Sequence, residues 1–170
     1  MLRDVFIRVA RMGLVRARWS DEILDETFKA LQEKYHDLDK PKLARLRELI
    51  CAAVPDCLVN SAAISALVSA LDLPDPNDRH VLAAAIVAGA QVIVTCNLRD
   101  FPAEKLEPFR IEAKHPDAFL QDIYHIDGAL THQAVSEAAA AKSNPPMTVG
   151  DLVCRLDELG LPVSASLLRR

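Results

Sequence analysis

From Leu2 the apolar positions Leu2, Val5, Phe6, Val9 and Met12 recur at steps of three and four, which predicts an opening helix with one buried face and Gly13 at its end. Leu14 to Trp19 changes period. Val15, Ala17 and Trp19 alternate with Arg16 and Arg18, the pattern of a short strand with one basic face. Ser20 then reads as an N-cap, with Asp21 and Glu22 in the first turn, where they complement the helix dipole. Ile23, Leu24, Thr27, Phe28 and Leu31 carry that helix to about Tyr35, and a further amphipathic helix is expected over Lys42 to Ala53. Pro55-Asp56 breaks the chain before a short apolar run, Cys57 to Val59, that suits a strand; Ile64 to Leu71 reads as helical.

The stretch Leu73-Pro-Asp-Pro-Asn-Asp-Arg-His80 starts the next helix: Asp75 can cap it, Pro76 suits its first position, and Asp78 falls in its first turn. That helix runs to about Ala88 and stops at Gly89. Its residues Val81 to Val87 are apolar all round, as in a helix packed tightly on a sheet. Gln91 to Thr95 is a continuous apolar run typical of a strand covered on both faces, Arg110 to Ala113 predicts a second strand, and Ala118 to Tyr124 another helix. From Asp127 the pattern turns helix-rich: Ala129 to Ala141, a break at Ser143-Asn-Pro-Pro146, a Thr148-capped helix through Leu152, Val153, Leu156 and Leu159, then Gly160-Leu-Pro162 and a short end.

Strands alternating with helices predict an α/β fold, a doubly wound and mainly parallel sheet with helices on both faces and a C-terminal helical tail. Ligands in such folds bind at the carboxyl edge of the strands. Three features gather on that edge: the helix carrying Glu26, the start of the helix carrying Asp78, and the loop after Thr95 with Asn97 and Asp100.

Composition narrows the possibilities. With 170 residues, 51% of them hydrophobic, the chain can bury a core without disulfides or a structural metal, and intrinsic disorder is excluded. The 20 Lys+Arg against 24 Asp+Glu argue against a surface that wraps nucleic acid on all sides, yet leave room for a local basic strip of Arg16, Arg18, Arg79 and Arg99, with Lys105. The apolar runs fall short of the ~20 residues of a membrane span, and Met1-Leu2-Arg3-Asp4 shows no signal h-region, so no membrane association and a cytoplasmic location are expected. Cys51, Cys57, Cys96 and Cys154 form no Cys-x-x-Cys pair and are expected to be reduced and mostly buried. His36, His80, His115, His125 and His132 lack the spacing of a zinc site, and there is neither a Gly-rich phosphate loop nor a Gly-x-Ser-x-Gly elbow.

Carboxylates brought to one edge of a sheet repel one another unless a cation sits among them, and for oxygen ligands the natural candidate is magnesium. Each acid also has a plainer explanation. Asp75 can be only a cap, Asp78 can answer only the helix dipole, and Asn97 and Asp100 can merely shape a turn. Glu26 and Asp25 border the apolar face of their helix on opposite sides, and periodicity does not choose between them.

Leu73-Pro-Asp-Pro-Asn-Asp-Arg-His-Val-Leu-Ala-Ala-Ala85 and Val92-Ile-Val-Thr-Cys-Asn-Leu-Arg-Asp-Phe-Pro102, with Trp19-Ser-Asp-Glu-Ile-Leu-Asp-Glu26 upstream, together resemble the PIN-domain family and, within it, the VapC-type toxin ribonucleases. The resemblance covers roughly residues 2 to 125. It implies an Mg2+- or Mn2+-dependent endoribonuclease with Glu26, Asp78 and Asn97 as metal ligands, and with Glu26, Asp78, Asn97 and Asp100 as the catalytic set. Asn97 stands where the family commonly has Asp. The family's first central strand, which ends in an acidic ligand, is missing, and Asp4 falls inside the first helix instead. The domain plan that follows is a PIN-like domain over 1–126 and a helical extension over 127–170. An RNA substrate, a cognate antitoxin and a homodimer are the implied partners. The competing expectations are a catalytically impaired PIN fold acting as a protein- or RNA-binding module and, more distantly, a phosphate-ester hydrolase sharing only the edge geometry.

Overall fold

A computed structural model describes residues 2–34 and 39–169. Helix α1 (Leu2–Arg11) ends at Gly13, whose φ of 79° needs no Cβ to be accommodated. Helix α2 (Asp21–Lys34) starts with the Ser20 hydroxyl accepting the Ile23 N–H at 3.2 Å; its expected end at Tyr35 lies outside the described residues. Asp39 caps α3 (Lys40–Ala53) and Asn60 caps α4 (Ser61–Val68). A 3-10 turn at Pro76–Asp78 leads into α5 (Arg79–Ala88), which Gly89 closes in the left-handed conformation, its N–H bonded to the carbonyls of Ala85 and Ile86. Strand β1 (Val92–Val94), a 3-10 turn at Leu98–Asp100, α6 (Ala103–Leu106) and β2 (Glu112–Lys114) follow, then α7 (Pro116–Ile126), α8 (Gly128–Ala140), α9 (Val149–Glu158) and α10 (Pro162–Leu168).

The chain forms two compact units. One comprises Ala17–Ile93 and Asn97–Ala113. Its core gathers Val59, Ile64, Leu73, Leu82, Ala83, Ile93, Phe101, Leu106 and Ile111, with α5 packed on α4. The all-round apolar sequence of α5 is explained by this burial, since Leu82, Ala83, Ala84 and Ala85 are all enclosed. The other unit takes the described residues up to Arg16, Val94–Cys96, and those from Lys114 onward. Here α1 packs on α8, and α7, α9 and α10 enclose Leu120, Ile123, Leu152, Leu156 and Leu161. Asp117 at the start of α7 is buried and accepts from the Ser164 N–H at 2.8 Å, the Val163 N–H at 3.2 Å and the Ser164 hydroxyl at 2.6 Å, so it caps α10 across the chain. Asp4 sits inside α1, as expected, and bonds the Lys142 ammonium at 2.5 Å.

β1 and β2 form a two-stranded sheet. The Glu112 N–H donates to the Gln91 carbonyl at 2.9 Å and the Thr95 N–H to the Lys114 carbonyl at 3.0 Å, so both strands run in the same direction. The strands expected over Leu14 to Trp19 and Cys57 to Val59 shrink to a single parallel bridge between Trp19 and Leu58. Alternation prepares a segment to be a strand, but a ladder needs a partner along its whole length, and among the described residues only Trp19 finds one. All four thiols are free. Cys57 is buried and Cys51 half-buried, whereas Cys96, in the loop after β1, and Cys154, turned away from the buried Leu152–Leu156 side of α9, are exposed, contrary to the expectation of mostly buried cysteines. Among the described residues no helix is long and apolar enough to cross a membrane.

Candidate active site

The turn that starts α5 is built by its own sequence. The Asp75 carboxylate accepts the Asn77 N–H at 2.8 Å, Pro76 supplies a preset φ, and the 3-10 turn delivers Asp78 to the head of the helix. Asp78 bonds no backbone N–H of the helix it precedes, so its carboxylate is available to other partners. The second turn, Leu98–Asp100, follows β1, and the Asn97 amide donates to the Asp100 carboxylate. These two turns bring Asp75, Asp78 and Asp100 together: one carboxylate oxygen from each lies within 4.8 Å of the others, and all three residues are half-buried. The Asp78 carboxyl is pushed above the usual carboxylate range, first by burial and then by the charges of Asp75 and Asp100, with Glu26 adding to the rise and His80 opposing it.

Helix α2 supplies the second part of the site. On one face, Asp25 pairs with the Arg47 guanidinium at 2.6 Å; Asp21 pairs with the same group and accepts the Ser61 hydroxyl at 3.1 Å. One residue further round, Glu22 and Glu26 flank the imidazole of His80, Glu22 Oε2 at 3.6 Å from Nδ1 and Glu26 Oε1 at 3.3 Å from Nε2. The ambiguity between Asp25 and Glu26 is thereby resolved by geometry: Asp25 belongs to the contact between α2 and α3, and Glu26 faces His80.

Of the residues singled out from the sequence, the fold brings Asp78 and Asp100 together directly, attaches Asn97 to Asp100, and holds Glu26 near enough for its charge to be felt at Asp78. Three participants were missed. Asp75 is both the cap that its sequence predicts and a member of the acidic cluster. Glu22 and His80 were passed over, although a histidine entering a helix that is otherwise apolar and buried is a signal in itself. Among the basic residues, Arg79 lies 3.9 Å from Asp72, which also takes Lys105 at 2.5 Å; Arg99 is exposed beside Asp100, Arg18 is half-buried, and Arg16 lies in the other unit.

Residues 2–99 match the family model described as PIN domain. The chain belongs to the PIN-domain family. The PIN match encloses Glu22, Glu26, Asp75, Asp78, His80 and Asn97 and stops one residue short of Asp100. The architecture is accordingly a PIN-like α/β fold with a small parallel sheet and a helical C-terminal region, and residues 116–170 match a model described as VapC50 C-terminal domain. This PIN chain is similar to a Mycobacterium tuberculosis (strain ATCC 25618 / H37Rv) protein named "Putative ribonuclease VapC50", with 43% identity over 95 residues, 55% of this chain and 54% of the relative. The match thus spans about half the length of each protein. No solved structure matches the chain.

Proposed function

We propose that this PIN-domain protein is a VapC-type endoribonuclease that hydrolyses RNA phosphodiesters with Mg2+ or Mn2+. The observation that carries the reading is the convergence of Asp75, Asp78 and Asp100 from two separate turns, with Glu26 in electrostatic reach. The donor set fits such an ion. It consists of hard carboxylate oxygens on half-buried side chains that all lie within 4.8 Å of one another, close enough for small side-chain movements to bring them to the ~2.1 Å expected of an Mg–O bond. The raised Asp78 pKa comes first from burial and then from the neighbouring acids, and a bound cation would offset both.

In this reading Asp78 and Glu26 hold the ion with Asp75 and Asp100, while Asn97 acts through its bond to Asp100, fixing that carboxylate in the site. Such an ion, when bound, makes water a better nucleophile and offsets the charge that builds on a phosphodiester during in-line displacement. Arg99, exposed beside Asp100, is suited to hold a substrate phosphate, with Arg18 of the same unit contributing to a basic strip. Arg79 has a weaker claim because Asp72 already faces it. A cognate antitoxin belongs to the same reading, supported by the likeness to the VapC50 protein, and a homodimeric assembly is proposed with it.

Titrating Mn2+ against the purified protein and a fluorescent single-stranded RNA tests the proposal. Metal-stimulated cutting that Asp78→Asn abolishes is the expected result. Absence of cutting at any Mn2+ concentration, or undiminished cutting by the variant, refutes it.

A further inference from the structure

His80 sits in the first turn of α5, two residues after Asp78, and only 5% of its surface is exposed. Neither ring nitrogen has a hydrogen-bond partner among the described residues, although each points at a carboxylate of α2, at 3.6 Å for Glu22 and 3.3 Å for Glu26. Buried imidazoles normally find partners, because a polar ring taken from water without them costs stability that a leucine at the same place would not. Filling the core therefore does not account for this side chain. Its two nitrogens are directed at Glu22 and at Glu26, whose charge is felt at Asp78, while Asp21 and Asp25 are engaged by Arg47. The separations are a few tenths of an ångström too long for good hydrogen bonds, as is common for site residues whose contacts tighten only when the ligand is present.

We propose that His80 is a buried positioning residue that aims the carboxylates of Glu22 and Glu26 at the Asp75–Asp78–Asp100 cluster, which makes Glu22 a working member of the site. The inference rests on the proposed metal-dependent function. Glu22 and Glu26 are four residues apart on one helix face, and their side chains are 62% and 60% exposed. Left to themselves, two such acids would swing away from each other and from the aspartates into water. An imidazole edge beneath each of them limits that freedom, so the energy of ordering them is already spent before a cation arrives. His80 touches neither substrate nor reacting atoms in this arrangement; it acts through the two glutamates.

Calorimetric titration of Mn2+ into the intact chain tests this, with folding checked by circular dichroism. His80→Leu is expected to weaken Mn2+ binding about tenfold or more, the range typical of partners that orient a ligand. His80→Gln, which retains an N–H donor, should recover part of that loss, and Glu22→Gln should weaken binding by a smaller factor. In a background of Glu22→Gln with Glu26→Gln, His80→Gln should change the affinity no further. That last comparison uses surface substitutions and an isopolar core change, and so remains informative if His80→Leu fails to fold. Wild-type Mn2+ affinity in folded His80→Leu, or an equal loss from His80→Gln in both backgrounds, overturns the positioning role while leaving the proposed function standing. A wild-type chain that binds no Mn2+ overturns the proposed function itself.

Discussion

Removing one charge from the acidic cluster should make the metal-free protein more stable and the metal-loaded protein less so. Asp78→Asn keeps the shape of the side chain, breaks no helix cap, and leaves an amide that is equally tolerated at the head of a helix. At the 4.8 Å limit of the cluster, two unit charges repel by about 0.9 kcal/mol in bulk water and ~3.5 kcal/mol at an effective dielectric constant near 20. The three residues are half-buried, so screening keeps the value near the lower end, and two such neighbours give a relief of roughly 2 kcal/mol. Loss of a negative charge near the start of α5 returns up to ~1 kcal/mol of that. The net gain of about 1 kcal/mol corresponds to a Tm rise of roughly 2–4 °C for a chain of this size. Mn2+ at a hundred times its Kd should stabilise the wild type by ~2.7 kcal/mol and the variant far less, so the order of the two melting curves inverts. The effect has a definite pH dependence. The folded-state pKa of Asp78 is raised, first by burial and then by Asp75 and Asp100, so the wild type is unpenalised below the ordinary aspartate range and loses stability as pH rises through the folded value. The advantage of the variant is therefore greatest at neutral pH and fades on acidification. Differential scanning calorimetry with and without Mn2+ reads all of this. A metal-free variant that melts below the wild type at neutral pH, or equal Mn2+ shifts in both proteins, would refute the reasoning.

Asp117→Ala strands the buried Ser164 N–H and the partly buried Val163 N–H, while the Ser164 hydroxyl keeps the Asp117 carbonyl, and should cost about 2–4 kcal/mol in urea unfolding; a loss under 1 kcal/mol would show that water replaces the carboxylate. Arg47→Met removes a guanidinium on which burial is the largest single effect, lowering its pKa, but whose bonds to Asp25 and Asp21 together raise it; since both acids are exposed, the expected loss is only about 0.5–1 kcal/mol and should vanish in 1 M salt, whereas a salt-independent loss would point to packing instead. Thr148→Ala breaks the capping box of α9, in which the Thr148 hydroxyl and N–H hold the Asp151 carboxyl below its ordinary pKa. That stabilisation exists above the unfolded pKa and is lost as pH falls through the folded one, so the variant should melt lower at pH 7 and approach the wild type in acid; a deficit unchanged by pH would contradict it.

The elements with strong period and clear stops were legible from the chain. Gly13 and Gly89 end α1 and α5 where expected, and the buried α5 follows from its unbroken apolar run. Asp78 and Asp100 were legible as acids because turns that precede or follow regular elements announce themselves through Pro, Asp and Asn. The dual role of Asp75 was not, since the same side chain that caps a turn offers its carboxylate to a cluster whose third member lies in another turn. His80 was legible only in part: its place in an apolar helix marks it as unusual, but its partners sit more than fifty positions upstream, so the sequence does not say that it holds acids. The strand expected over Leu14 to Trp19 failed because alternation states what a segment can pair with, whereas pairing depends on the neighbour, here Leu58 alone.

Helix α2 carries two acidic pairs offset by a single residue, Asp21 with Asp25 toward Arg47 and Glu22 with Glu26 toward His80. Each residue step turns a helix by about 100°, so the two pairs work like adjacent tracks on one ruler. A one-residue insertion ahead of Asp21 would present the shorter aspartates to His80 and drive the glutamates into the places of Ile23 and Thr27. A deletion there would hand the glutamates to Arg47 and leave His80 facing Ile23 and Thr27. Relatives can thus diversify this helix by exchanging side chains or by lengthening its far end, but a frame slip in its first turn forfeits scaffold and chemistry together.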